Sequence, residues 1–317
     1  MTPNHKTQRS PARQRGFSMI ELLVAVTILL LVSGFVLTGL ADMSMINGTI
    51  TNRTQMHSGV RSATELLQQE IGQAGKVALP AAVTLTGPVI IAGTAAVGVS
   101  SSAGMFVSEK LIIDTGPNEE TVTLTAVSLS PSQITAAFTL AHASGAVVRA
   151  AGAFASGVVP TTAANGSTAT RLKLYGDVND DGNMVYIEYT CDTDGGNLYR
   201  NTMSVTAASK PARTPSMILL PNIRPNPDGT PCFTYQEKAV GTDTYVVNVA
   251  VTLTVQTELQ DPNTNQFQLE TKALLNVSPR NVFEVWQMAS IGTSNRIQPM
   301  PASVSNLLPN VTEAQAY

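Results

Sequence analysis

The sequence predicts an α+β fold: one long N-terminal helix, apolar in its first half and amphipathic in its second, packed on an antiparallel β-sheet that carries a β-rich insertion. Three observations predict it. No charged residue occurs from 22 to 41, a run long enough to cross a bilayer core as a helix. No proline occurs from 17 to 79, and Met56, Val60, Ala63, Leu67, Ile71 and Ala74 recur at three- and four-residue spacing, the pattern of one buried helical stripe. Beyond residue 80, short stretches rich in Val, Ile and Thr alternate with Pro, Gly and Asn turns, as strands do.

The first element is the uncharged run and its flank. Residues 1–16 carry Lys6, Arg9, Arg13 and Arg15 and no acid. Basic residues on the N-terminal side of an apolar span keep that side cytoplasmic and send the rest of the chain across. An ordinary secretory signal would have a shorter apolar region and a small-residue cleavage site, for which Ser33-Gly34-Phe35 is a poor match. A plain membrane anchor fits the hydropathy but leaves Glu21 unexplained. A carboxylate four residues into an apolar helix is costly to insert and marks a functional site.

Arg15-Gly16-Phe17-Ser18-Met19-Ile20-Glu21-Leu22-Leu23-Val24-Ala25 resembles the prepilin cleavage and methylation motif of type IV pilins and type II secretion pseudopilins. The resemblance implies a leader, residues 1–16, removed by prepilin peptidase between Gly16 and Phe17, and N-methylation of the new Phe17 amine. It also implies a single-pass inner-membrane protein with a periplasmic globular domain, later part of a pilus at the cell surface. Partners would be the peptidase and other pilins, met through the N-terminal helix. Chemically, the Phe17 ammonium and the Glu21 carboxylate lie one helical turn apart, and pairing between neighbouring subunits offsets the desolvation of both. Glu21 therefore reads as an assembly residue. Two features depart from the family's pattern: many major pilins have a proline partway along this helix, and the tip pseudopilin of type II secretion usually lacks the glutamate.

Residues 17–41 form the membrane half of the helix and 42–76 the outer half. A helix from 17 to 75 would be roughly 90 Å long. Residues 65–75 resemble the helix end of PilW-type minor pilins, and Gly75 followed by Pro80 is a helix stop. Residues 77–160 read as the β-rich insertion, with strands at 111–113, 121–127, 134–140 and 146–149. Residues 161–283 read as the main β-domain. There, 183–192 and Gly195-Gly196-Asn197-Leu198-Tyr199-Arg200 form a hairpin similar to one in PilW-type and J-type pseudopilin proteins, and 245–258 pairs with 266–277. Ser278-Pro279-Arg280-Asn281 resembles the Pro-Arg-Asn that closes such domains. Residues 284–317, rich in Pro, Ser and Asn, read as an extended tail, with Trp286 packing the last segment onto the domain.

Composition narrows the function. Only 13% of residues are charged against 43% hydrophobic, and the mean hydropathy of +0.10 is slightly high for a soluble enzyme. Net charge of −3 and a pI near 5.6 leave no basic footprint for nucleic acid. His5, His57 and His142 stand apart, with no metal spacing or nucleophile beside them, and read as surface residues. No phosphate-binding glycine loop occurs, so no enzymatic activity is expected. Cys191 and Cys232 are the only cysteines. In an exported domain they suit a disulfide, worth roughly 4 kcal/mol in the chain-entropy description; two unrelated buried thiols are the alternative.

One motif suggests a cation. Asp177, Asn179, Asp181, Asn183 and Glu188, with Gly182 at the sixth position, satisfy the spacing of an EF-hand-type calcium loop. The flanks look like strands rather than helices, so a polar hairpin turn is the alternative, and a strand would aim Glu188 away from the loop. Calcium is the one cofactor the sequence suggests.

By resemblance and by length, the leading functional expectation is a minor pilin of PilW type that supports pilus assembly at or near the tip, and hence adhesion, twitching motility or DNA uptake. A J-like pseudopilin of type II secretion and an adhesin mounted on a pilin stem are the alternatives.

Overall fold

A computed structural model of the 317-residue chain describes residues 16–90, 92–164, 166–207 and 209–305. Residues 1–15 of the expected leader lie outside the described residues. The first element, α1, runs unbroken from Met19 to Gln73, about 80 Å at 1.5 Å per residue. Ser18 caps it: its Oγ accepts the Glu21 N–H at 3.3 Å, and a Glu21 carboxylate oxygen accepts the Ser18 N–H at 3.4 Å. This reciprocal pair satisfies two amides that a helix start leaves open. Gly34, Gly39, Gly48 and Gly59 stay within the helix, although each weakens it by about 1 kcal/mol relative to alanine. The large apolar side chains of the first half are exposed from Met19 to Leu40, as are Met43, Ile46 and Ile50. From Met56 onward the predicted stripe turns inward, and Leu67 and Ile71 are wholly buried. Burying side chains of that size stabilises the packing by about 2 kcal/mol each. The helix stops where Gly75 takes φ +84.

The chain then enters a compact β-module. Its strands are β1 (Val83–Thr84), β2 (Gly93–Gly98), β3 (Lys110–Ile113), β4 (Glu120–Leu129), β5 (Ser132–Phe138) and β6 (Val147–Ala150). They lie in the order β1-β6-β3-β4-β5-β2. Thr86 N–H donates to Gly98 O at 2.8 Å and Ser100 N–H to Thr84 O at 2.9 Å, joining the first strand to the last. The sheet thus closes into a six-stranded barrel, which leaves no open edge. Alternation explains its core. On β4, Val122 and Leu124 point in while Thr121, Thr123 and Thr125 point out. Leu85, Leu111, Ile113, Ile134, Phe138 and Val148 complete the interior.

The insertion expected over 77–160 is therefore a barrel of 83–150, and its last residues belong to the main domain. There β7 (Ala153–Phe154) pairs in parallel with β16 (Ile297–Gln298), and Val158 bridges to Leu174. The main domain holds an antiparallel sheet of β8 (Arg171–Gly176), β9 (Val185–Asp192), β10 (Asn197–Ser204) and β11 (Ile218–Pro221). A second sheet places β12 (Ile223–Arg224) and β13 (Phe233–Val240) along one side of β14 (Asp243–Gln256), with β15 (Leu269–Val277) on the other. The stripe of α1 lies on both, meeting Leu174, Ile187 and Tyr189 from the first and Val249, Val251 and Phe233 from the second. A Cys191–Cys232 disulfide joins the end of β9 to the residue before β13. It links the two sheets beneath the helix.

The expectation of an extended tail over 284–317 is corrected at its start, while 306–317 lie outside the described residues. Arg280–Ser290 is a second helix, α2, whose Val282 and Val285 bury against Ala153, Ala155, Tyr245 and Val247. These apolar positions three apart, with Ala289 one turn on, outweigh the polar composition around them. Pro279, read as the close of the domain, is the N-cap of this helix. Trp286 stacks on Phe283, with ring centroids 5.2 Å apart, against the same cluster.

Candidate functional site

At the N-terminus, Gly16, Phe17 and Glu21 stand free of the folded domain. Among the described residues, no atom beyond its own chain neighbours lies within 4 Å of where a Gly16 Cβ would sit, and Phe17 is 81% exposed. An unencumbered backbone before residue 17 is what a peptidase needs. Glu21 lies in the first turn of α1, where the helix dipole favours an anion. Its described hydrogen bonds are with Ser18 alone: the carboxylate folds back to the helix start, one turn beyond Phe17. Around it is an exposed apolar surface formed by Met19, Ile20, Leu22 and Leu23. Nothing in the described chain covers that surface, and one helix is long and apolar enough to cross a membrane. The arrangement is a helix long and apolar enough for a membrane anchor, with a single carboxylate near its N-terminal end that is able to accept a cation presented within an apolar layer.

The second sequence candidate, the loop from Asp177 to Glu188, is built differently from the calcium reading. Asp177 is buried at the end of β8, and its Oδ2 lies 3.2 Å from Lys76 Nζ. Lys76 also pairs with Asp180. The ammonium of Lys76, just past α1, thus serves as the loop's cation, and the hydrogen bond it donates to Asp180 is the main reason its pKa is raised. Asp177 Oδ1 accepts the Asp181 N–H at 3.0 Å and Asp181 Oδ1 the Asn183 N–H at 2.9 Å, which is turn chemistry. Asn179, Asp181 and Asn183 remain exposed. Glu188 does not join them. It sits buried in β9, 2.8 Å from Lys210 Nζ, and accepts the Tyr186 hydroxyl at 3.0 Å. Burial pushes this carboxyl up, but Lys210 and Lys173 outweigh burial and hold it below its ordinary value. Among the described residues no group of three or more His, Cys, Asp or Glu could hold a metal. Asp177, Asp181 and Asn183 share one turn, and Glu188 is held apart from it by Lys210 and Tyr186.

Several polar clusters had no motif to announce them. Glu70, on the apolar stripe of α1 and 1% exposed, pairs with Arg200 of β10 and accepts the Tyr189 hydroxyl of β9. Burial first, and then the Glu70 charge, raise the Tyr189 pKa, keeping that hydroxyl a donor. A charge inside a helical apolar stripe was the visible signal. His142, read as a surface residue, is buried in the barrel wall. Its Nδ1 lies 3.3 Å from Asp114 and its Nε2 2.6 Å from Glu120. The Glu120 carboxyl is pushed up by burial, but hydrogen bonds from Thr139 and His142 bring it below its usual value. Glu109 is buried at the foot of the barrel, and burial pushes its carboxyl up to about 8. These clusters join elements to one another; none opens on a cleft with a nucleophile.

Comparison with known proteins bears on the N-terminus. The family described as the prokaryotic N-terminal methylation motif matches residues 11–37. No curated protein and no solved structure matches the chain. The chain thus combines a prepilin-type methylation motif with a helix of membrane-spanning length. The far half of that helix lies on antiparallel sheets, an architecture of generic pilin-like form.

Proposed function

We propose that this chain is a minor pilin of PilW type. It is cut by prepilin peptidase between Gly16 and Phe17, N-methylated on Phe17, and carried into a type IV pilus by α1. Before assembly it is held in the inner membrane with its β-domains in the periplasm. Afterwards it serves at or near the pilus tip, in adhesion, twitching motility or DNA uptake. The observation that carries this reading is the methylation motif at the head of a helix whose first half is exposed and apolar. Such a surface needs lipid first and neighbouring helices later. Within it, the Glu21 carboxylate is costly to place in a bilayer. The ammonium of a neighbour's Phe17 offsets that cost and fixes the axial register between subunits.

The barrel supports a second reading in which the stem mounts an adhesive module. It has its own core and hangs from the far end of α1 by two linkers. In that case deletion of 83–150 abolishes attachment and leaves filaments intact; loss of filaments would contradict it.

The assembly role is tested by Glu21→Ala. Processing should continue, because the cut lies five residues away, while the amount of subunit in sheared filaments should fall at least about tenfold, the equivalent of losing about 1.4 kcal/mol of pairing. Normal incorporation would refute the pairing.

A further inference from the structure

The barrel is tied to the main domain by more than its two covalent linkers. The segment after α2 comes back to the junction, and Gln298, 1% exposed, is inserted there. Its Oε1 accepts the Lys110 N–H at 2.8 Å, and its Nε2 donates to Lys110 O at 2.6 Å and to Ala151 O at 2.5 Å. One side-chain amide thereby holds the first residue of β3 and the residue following β6. Lys110 Nζ reaches back to donate to Ser294 O at 2.7 Å. Behind Gln298, β16 lies along β7, and Ala153 N–H donates to Arg296 O at 3.1 Å. Gly152 takes φ +62, and a Cβ there would fall 1.7 Å from Arg296 O, so the segment is seated directly on the linker backbone. Val304, wholly buried with Phe154 and Tyr175, secures its far end.

We infer that residues 294–304 are a C-terminal clasp that locks the barrel onto the stem, with Gln298 as its key. The barrel has a closed sheet and a core of its own, so it does not need the clasp to stay folded. What the clasp fixes is orientation. Engaged, it fixes the barrel against the stem; released, it leaves the barrel to swing on 77–82 and 151–152, because Ala153, Phe154 and Ala155 stay in the core of the main domain. The clasp follows the barrel by more than a hundred residues in the chain, so the barrel can complete its core before the lock closes. This inference does not depend on the pilin reading.

The test uses the full-length chain in detergent. Gln298→Met keeps the side chain's length and removes its three hydrogen bonds; Gly152→Ala pushes the Arg296 backbone off its seat; Ile291→Ala, at an exposed position, is the control. Hydrogen exchange and limited proteolysis are followed together. In both junction variants 77–82 and 151–152 should exchange and be cut at least about tenfold faster than in the control, while β3, β4 and β5 keep their protection. Linkers that behave as in the control would overturn the clasp. So would loss of protection in the barrel strands along with the linkers, since 294–304 would then be part of the barrel's own core.

Discussion

Glu109 offers a prediction whose size follows from the structure. Its side chain is fully buried beside the first residue of β3. Oε2 accepts the Phe106 N–H at 3.2 Å, and Oε1 has no hydrogen-bond partner among the described residues. Burial raises the carboxyl from 4.5 to about 8, the Phe106 hydrogen bond opposing only part of that rise. Between these values the folded chain keeps a proton that the unfolded chain gives up. Stability from this group is therefore complete below about pH 4.5, falls as pH rises, and levels off above about pH 8. At 1.36 kcal/mol per unit, the loss is roughly 2 kcal/mol by pH 6 and roughly 4 kcal/mol by pH 7.5. Glu109→Gln keeps the shape and cannot ionise. Urea denaturation of the mature chain in detergent, for wild type and variant from pH 4.5 to 8, should show the variant gaining over wild type by about those amounts as pH rises. A difference between the two that does not change with pH would refute the reasoning.

Glu70→Ala removes the partner of a half-buried Arg200 and should destabilise the chain by about 3 kcal/mol in the same assay; Glu70→Met combined with Arg200→Leu should recover part of that loss, because an apolar pair strands no charge although the Tyr189 hydroxyl loses its acceptor. Lys76→Met leaves Asp177 buried without its ammonium and should lower stability by about 2 kcal/mol. If that lysine does occupy the cation's place, millimolar calcium should recover part of the loss in the variant and leave the wild type unchanged, as read by thermal melting.

The long helix and the strand-rich remainder were legible because each rests on a local period. The absence of proline from 17 to 79 and the stripe from Met56 to Ala74 identify α1, and the alternation in 121–127 and 134–140 identifies β4 and β5. Barrel closure was not legible, because it depends on β1 meeting β2 and β6, contacts set by three-dimensional register. Helix α2 was hidden by the Pro-, Ser- and Asn-rich sequence after it, although Val282 and Val285 already had helical spacing. At the site, Gly16, Phe17 and Glu21 could be read because their chemistry is written in consecutive residues. The 177–188 spacing was equally visible, but its meaning turned on Lys76, about a hundred residues earlier in the chain, which brings an ammonium to the loop. His142 carried no signal, since both of its carboxylate partners come from distant turns of the barrel.

The central claim, that this chain is processed as a prepilin, is tested most directly by mass spectrometry of the mature N-terminus from membranes of cells that contain prepilin peptidase. The account predicts a chain beginning at N-methylated Phe17. An intact Met1, or a first residue after position 33, would contradict it.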